Sequence, residues 1–191
     1  MSRLLLFGAG ASFGSEDVSP YRPPLGAGLF DDLQKIYPGV WGALPAEKRQ
    51  LFVPNFEPGM KELWDSGWHG TSVLMNCLAD YFARFRPLSG NVYLRLLDRM
   101  RSRGALKGTW FSTLNYDCIL EYAARNAALN VQYFSPNPTT SSEITVWKIH
   151  GSCNFIPQNA LGCRVRSRSR LEMFIGMVIF DLSTPDRSLR S

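Results

Sequence analysis

The sequence predicts an α/β protein built on a mainly parallel sheet. Short runs of β-forming residues alternate with amphipathic helical stretches along the chain. The segments richest in chemically useful side chains each follow directly on a predicted strand, as ligand-binding loops do in open parallel sheets. A composition of 45% hydrophobic and 19% charged residues fits a packed core, not a disordered chain, and 191 residues are enough for one domain.

Residues 3–7 read as a short buried strand, followed by the small-residue turn Gly8-Ala9-Gly10-Ala11-Ser12. Residues 15–28, rich in Pro, Gly and Ser, predict an ordered, irregular loop, and a helix is expected over 27–36. Between 37 and 70 the signals are weak, with Pro38, Pro45, Pro54 and Pro58 among scattered aromatics. Val73, Leu74, Cys77, Leu78, Tyr81, Phe82 and Phe85 then recur at helical spacing up to Pro87. A further helix carries Tyr93, Leu96, Leu97 and Met100 on one face and ends at Gly104. Residues 109–114 predict a strand, after which Asn115-Tyr116-Asp117 opens a helix bearing Ile119, Leu120, Ala123, Ala124 and Ala127. Two more strands are expected at 131–134 and 145–149.

The formal net charge of +5 is unevenly placed: residues 161–191 hold six arginines against three acids, which leaves +2 for the first 160. Such a basic tail can attract nucleic acid or anionic lipid, although a solvated terminus is the simpler reading. The apolar run after Arg3 is shorter than the about 7–15 residues of a signal-peptide core, and 173–180 is far below the ~20 that span a bilayer. A cytoplasmic protein without a membrane partner is expected. Cys77, Cys118, Cys153 and Cys163 form no C-x-x-C pair, so no structural zinc is expected; free thiols are, with Cys77 and Cys118 buried by helices.

Glycines at 8 and 10 let backbone N–H groups approach a pyrophosphate, and Ser12 adds a hydroxyl. The dinucleotide fingerprint G-x-G-x-x-G is incomplete, because Phe13 occupies its last position and Gly14 comes one residue late. A tight turn with no ligand is the plain alternative. Asn115 offers a donor and an acceptor suited to a ribose hydroxyl or a held water, whereas Asp117 equally suits a helix cap. Of the two histidines, His69 lies in an uncertain loop. His150, followed by Gly151 and Ser152 at a strand end, is the better placed general base.

Taken in order, Gly8-Ala9-Gly10-Ala11-Ser12, Thr113-Leu114-Asn115-Tyr116-Asp117 and Lys148-Ile149-His150-Gly151-Ser152 resemble the sirtuin superfamily over roughly residues 3–155. More narrowly, they resemble the bacterial sirtuin-like domains of antiphage defence systems, which carry T-x-N-Y-D where protein deacylases carry T-Q-N-I-D. The resemblance implies a Rossmann-like sheet flanked by helices over residues 1–160, with a smaller helical lobe inserted at about 37–105. It implies NAD as substrate and no metal. Gly8, Ala9, Gly10, Ala11 and Ser12 would hold its phosphates, Asn115 would contact the nicotinamide ribose or the attacking water, and Asp117 would hold the carboxamide. Gly151 and Ser152 would complete the binding site, and His150 would act as base on a ribose hydroxyl. The implied reaction is hydrolysis of the nicotinamide–ribose bond by a defence effector, working with a defence-system partner and as a homo-oligomer.

Two departures bear on this reading. The four-cysteine zinc ribbon and the G-I-P-D-F-R run of the deacylases are missing, with Pro23-Pro24-Leu25-Gly26 in the corresponding loop, which disfavours NAD-dependent deacylation. Only 41 residues follow His150, so the C-terminal part is expected to be truncated, with 161–191 a basic tail or an incomplete strand. A non-catalytic nucleotide-binding or interaction module is the remaining alternative.

Overall fold

A computed structural model describes residues 2–53 and 55–154, together with two short backbone segments, 173–174 and 177–178. The rest of the basic tail lies outside the described residues.

Four parallel strands form the sheet: β1 (Arg3–Phe7), β4 (Thr109–Thr113), β5 (Asn130–Tyr133) and β6 (Glu143–Lys148), in the spatial order β1-β4-β6-β5. All three pairings are parallel, and helices flank the sheet, giving a Rossmann-like α/β fold. The period-2 alternation of the strands decides which face packs. Leu5, Phe7, Phe111, Ile144 and Val146 join the core. Leu4 and Leu6 point the other way and are 65% and 58% exposed. With Trp110, Phe134, Pro136, Trp147 and Ile149, Leu4 lines an open apolar groove of about 870 Å³ on that second face.

Between β1 and β4 run α1 (Ala9–Phe13), β2 (Val18–Ser19), α2 (Gly26–Ile36), α3 (Ala46–Gln50), α4 (Phe56–Asp65), α5 (Thr71–Ala83), β3 (Arg86–Pro87) and α6 (Val92–Ser102). The helix expected over 27–36 is α2, which starts one residue earlier, at Gly26. The irregular loop at 15–28 contains β2, which pairs antiparallel with β3. The region of weak signal holds two helices. Pro58 sits in the first turn of α4, where a missing N–H breaks no intrahelical bond, so it is compatible with the helix although it obscures the pattern. Trp41, Phe52 and Phe56 pack there with ring centroids 5.5–5.6 Å apart, a buried aromatic group continuous with the core on the sheet.

Asn91 caps α6 by accepting from the Tyr93 N–H at 3.0 Å, and its own amide donates to the carbonyls of Ser15 and Glu16. This ties the segment after α1 to the helix that precedes the central strand. The last sheet-flanking helix, α7 (Ile119–Asn126), crosses from β4 to β5. Among the described residues no helix is long and apolar enough to cross a membrane. The chain also holds a short antiparallel pair, β7 (Met173–Phe174) with β8 (Met177–Val178).

Candidate functional site

Parallel pairing places Phe7, Thr113 and Lys148 in one row across the sheet, at the carboxyl ends of β1, β4 and β6. The next residues stay in step: Leu114 N–H donates to the Phe7 carbonyl at 2.9 Å, and Ile149 N–H to the Thr113 carbonyl at 3.1 Å. The three segments singled out in the sequence therefore leave the sheet at one level and on one edge.

Each then turns differently. Gly8 precedes α1, so the expected loop is instead a strand-to-helix turn, with Ala9, Gly10, Ala11 and Ser12 inside a five-residue helix. A Cβ added at Gly8 or Gly10 would meet nothing within 4 Å, so that side of the turn is open. Ser12 faces inward and is buried. After β4, the Asn115 N–H is held by Thr113 Oγ1 at 3.0 Å, which turns the Asn115 side chain towards α1. Its Nδ2 donates to Ser12 Oγ at 2.7 Å, and Ser12 Oγ lies 3.3 Å from the Tyr93 hydroxyl. Burial pushes the Tyr93 phenol up from its ordinary value, with the Ser12 hydrogen bond acting in the opposite sense.

Asn115 Oδ1 is buried without a hydrogen-bond partner. A buried amide oxygen left unpaired costs about 1–3 kcal/mol, so native chains keep few of them; Trp41 Nε1, away from the cavity, is another such group. Asn115 and Ser12 line a cavity of about 200 Å³ with Ala9, Asn55, Glu57 and Asp117. Pro23, Pro24, Phe82 and Tyr116 supply its apolar surface. Burial raises the Tyr116 phenol above its ordinary value, helped by the nearby Glu57 carboxylate.

Asp117 takes the capping role: its Oδ1 accepts from the Ile119 N–H at 3.0 Å, at the start of α7. It also lines the cavity, so capping and ligand contact are compatible. Beneath it the Lys148 ammonium, fully buried, donates to the Asp117 carbonyl and lies 3.3 Å from Glu121 Oε1. Burial pulls the Lys148 amine down, yet Glu121, Cys118 and Asp117 together hold it above its ordinary value, as a charged group under the turn.

His150 occupies the turn after β6 and is half-buried; Gly151 follows at φ +87°, a conformation that suits glycine. Ser152 is buried and its Oγ lies 3.3 Å from Cys118 Sγ. None of His150, Gly151 and Ser152 lines the cavity, whereas Asn115, Asp117, Ala9 and Ser12 do. Gly8, Gly10 and Ala11 lie behind them on the same turn. His69 is exposed beside Trp68, with ring centroids 5.7 Å apart, and has no place in this cluster. Cys118 is buried as expected, but at the helix N-cap position, and Cys77 is half-buried. Among the described residues no group of three or more His, Cys, Asp or Glu could hold a metal ion.

Sequence reasoning passed over Asn55 and Glu57, which reach the cavity from the start of α4, and Tyr93, which holds Ser12. It also passed over Glu121, whose signal was present: a lone carboxylate on the apolar face of a helix carrying Leu120, Ala123 and Ala124. No protein-family model matches the chain, and no curated protein matches it.

Proposed function

We propose that this edge of the sheet binds NAD and hydrolyses its nicotinamide–ribose bond. The observation that carries the reading is Asn115: a buried amide, anchored through Nδ2 to Ser12, whose Oδ1 is left unpaired beside a cavity shared with Asp117. An amide in that position suits a ribose hydroxyl or a water held for attack.

The cavity is smaller than the about 300–1,000 Å³ typical of pockets for whole drug-sized ligands. It suits the nicotinamide–ribose end of NAD, with the pyrophosphate running over the open side of the turn at Gly8 and Gly10. Asp117 would hold the carboxamide, and Ala9, Ala11 and Ser12 would border the phosphates. Gly151 and Ser152, both buried away from the cavity, would hold the turn that carries His150. His150, which stands outside the cavity lining, would act as base on a ribose hydroxyl.

The chemistry asks for positioning and one base. As the bond from ribose C1′ to the nicotinamide nitrogen breaks, its electron pair returns to the pyridine ring and positive charge develops on the sugar. Water, held by Asn115, adds at C1′ and gives up a proton to solvent, yielding nicotinamide, ADP-ribose and one proton, while His150 serves as base on a ribose hydroxyl. Holding the reactants in line converts a bimolecular step into an effectively unimolecular one, and a correctly placed base adds about 10²–10⁴-fold. By its sequence resemblance we assign the reaction to NAD depletion in antiphage defence, alongside a partner protein.

Incubating the full chain with NAD, with and without an acetylated peptide, tests the reading. Nicotinamide and ADP-ribose in both reactions support it. O-acetyl-ADP-ribose formed only with peptide would replace it by deacylation, and NAD binding without products would replace it by a non-catalytic nucleotide-binding module.

A further inference from the structure

We propose that Cys118 and Cys153 form an oxidant-responsive dithiol that closes to an intramolecular disulfide, fastening the turn after β6 to the start of α7. Their sulfurs lie 3.5 Å apart, although the residues are 35 apart in sequence. A disulfide needs about 2.05 Å, so the sulfurs must close by about 1.5 Å, a change within reach of side-chain rotation. The backbone already holds the two segments together, since the Cys153 N–H donates to the Tyr116 carbonyl at 2.8 Å.

The surroundings favour reaction at this pair. Cys118 occupies the N-cap position of α7, although its sulfur takes no helix N–H there, the Ile119 N–H going to Asp117. A hydrogen bond from the Cys153 thiol holds the Cys118 thiol below its ordinary value against burial, with the Lys148 ammonium acting in the same sense as that bond. Glu121 and Asp117 are the carboxylates that face the pair. Cys118 is buried, whereas Cys153 is half-buried and gives an oxidant its approach.

With a hydroperoxide as oxidant the step balances. The Cys118 thiolate attacks the peroxide from the half-buried Cys153 side and takes one oxygen, giving a sulfenic acid, while the peroxide leaves with the proton the Cys118 thiol released as its alcohol, or as water for hydrogen peroxide. The Cys153 sulfur, held as a thiol by its hydrogen bond to Cys118, then attacks the Cys118 sulfur. The S–S bond forms, the S–O bond breaks, and the departing hydroxide leaves as water with the Cys153 thiol proton. Both sulfurs are oxidised and the peroxide supplies the two-electron acceptor. The proposal stands on the geometry of the two thiols and is independent of any reaction at the cavity.

Hydrogen peroxide treatment of the folded full-length chain, followed by alkylation, trypsin and mass spectrometry without reductant, tests it. The Cys163→Ser background is used because Cys163 shares a tryptic peptide with Cys153. The expected result is peptide 108–125 joined to peptide 149–164, two hydrogens lighter than their sum and separated by a thiol reductant. Cys118→Ser or Cys153→Ser should each remove the cross-link, and Cys77→Ser should leave it. The oxidised protein should melt about 5–10 °C higher than the reduced one, as a bridge closing this loop constrains the unfolded chain. Overoxidation of Cys118 or Cys153 to the sulfinic acid with no cross-link, or a cross-link from Cys118 to Cys77, in protein with unchanged circular dichroism, would overturn the proposal.

Discussion

Replacing Asn115 by leucine, which keeps the branched outline but is apolar and larger, with the neighbouring cavity to take the added volume, separates a ligand-binding role from a structural one. In the folded chain the Asn115 amide makes one side-chain hydrogen bond, to Ser12 at 2.7 Å, worth about 0.5–1.5 kcal/mol net. Ser12 keeps Tyr93 as a partner at 3.3 Å, so losing that bond orphans no group. Against the loss stands relief of the unpaired Oδ1, whose burial costs about 1–3 kcal/mol. The balance runs from roughly neutral to about 2 kcal/mol stabilising, the direction expected where a site sacrifices stability for binding. At about 2–4 °C per kcal/mol for a chain of this size, Asn115→Leu should melt at or several degrees above wild type. Urea unfolding followed by tryptophan fluorescence gives the free energy, and calorimetry with NAD gives the binding, which should fall at least tenfold. A stability loss above about 2 kcal/mol, with NAD affinity retained, would show that Asn115 is a structural residue and refute the reasoning.

Three further outcomes follow from the same contacts. Lys148→Met removes the partner of a fully buried carboxylate and should cost about 3–5 kcal/mol in urea unfolding, with Lys148→Met/Glu121→Leu recovering most of it; equal stability of the two variants would contradict the pairing. Burial raises the Tyr93 phenol, so its contribution to stability is complete below the unfolded value near 10 and is lost as pH rises towards the folded one. Above pH 10 wild type should therefore lose up to about 1.4 kcal/mol per pH unit more than Tyr93→Phe, and parallel curves would dismiss that protonation difference. Gly10→Val meets open space and should keep the fold but weaken NAD binding more than Ser12→Ala; equal affinities measured by calorimetry would mean that the turn carries no ligand.

The central architecture was legible because β1, β4 and β6 are short runs whose side chains alternate between core and open face, and because α5 and α6 repeat apolar residues at helical spacing. Once the strands are parallel, the level at which Ser12, Asn115 and His150 leave the sheet follows from pairing register. Other features resisted for physical reasons. Small residues at 8–12 fit a turn as well as a short helix, and packing on β1 and α6 decides for the helix. Pro54 and Pro58 hide α4, although Pro58 costs its first turn nothing. Asn55 and Glu57 could not be read as cavity residues, since only the path of α4 beside Asn115 brings them there. The Lys148–Glu121 pair and the Cys118–Cys153 contact each join segments about 30 residues apart and leave no local pattern.

Nicotinamide release by the full-length chain, compared among wild type, His150→Ala and His69→Ala, tests the proposed hydrolysis most directly. The account predicts matching amounts of nicotinamide and ADP-ribose from wild type, a fall of about 10²–10⁴-fold in His150→Ala at unchanged melting temperature, and wild-type turnover in His69→Ala. Wild-type turnover in His150→Ala, or loss of turnover confined to His69→Ala, would contradict it.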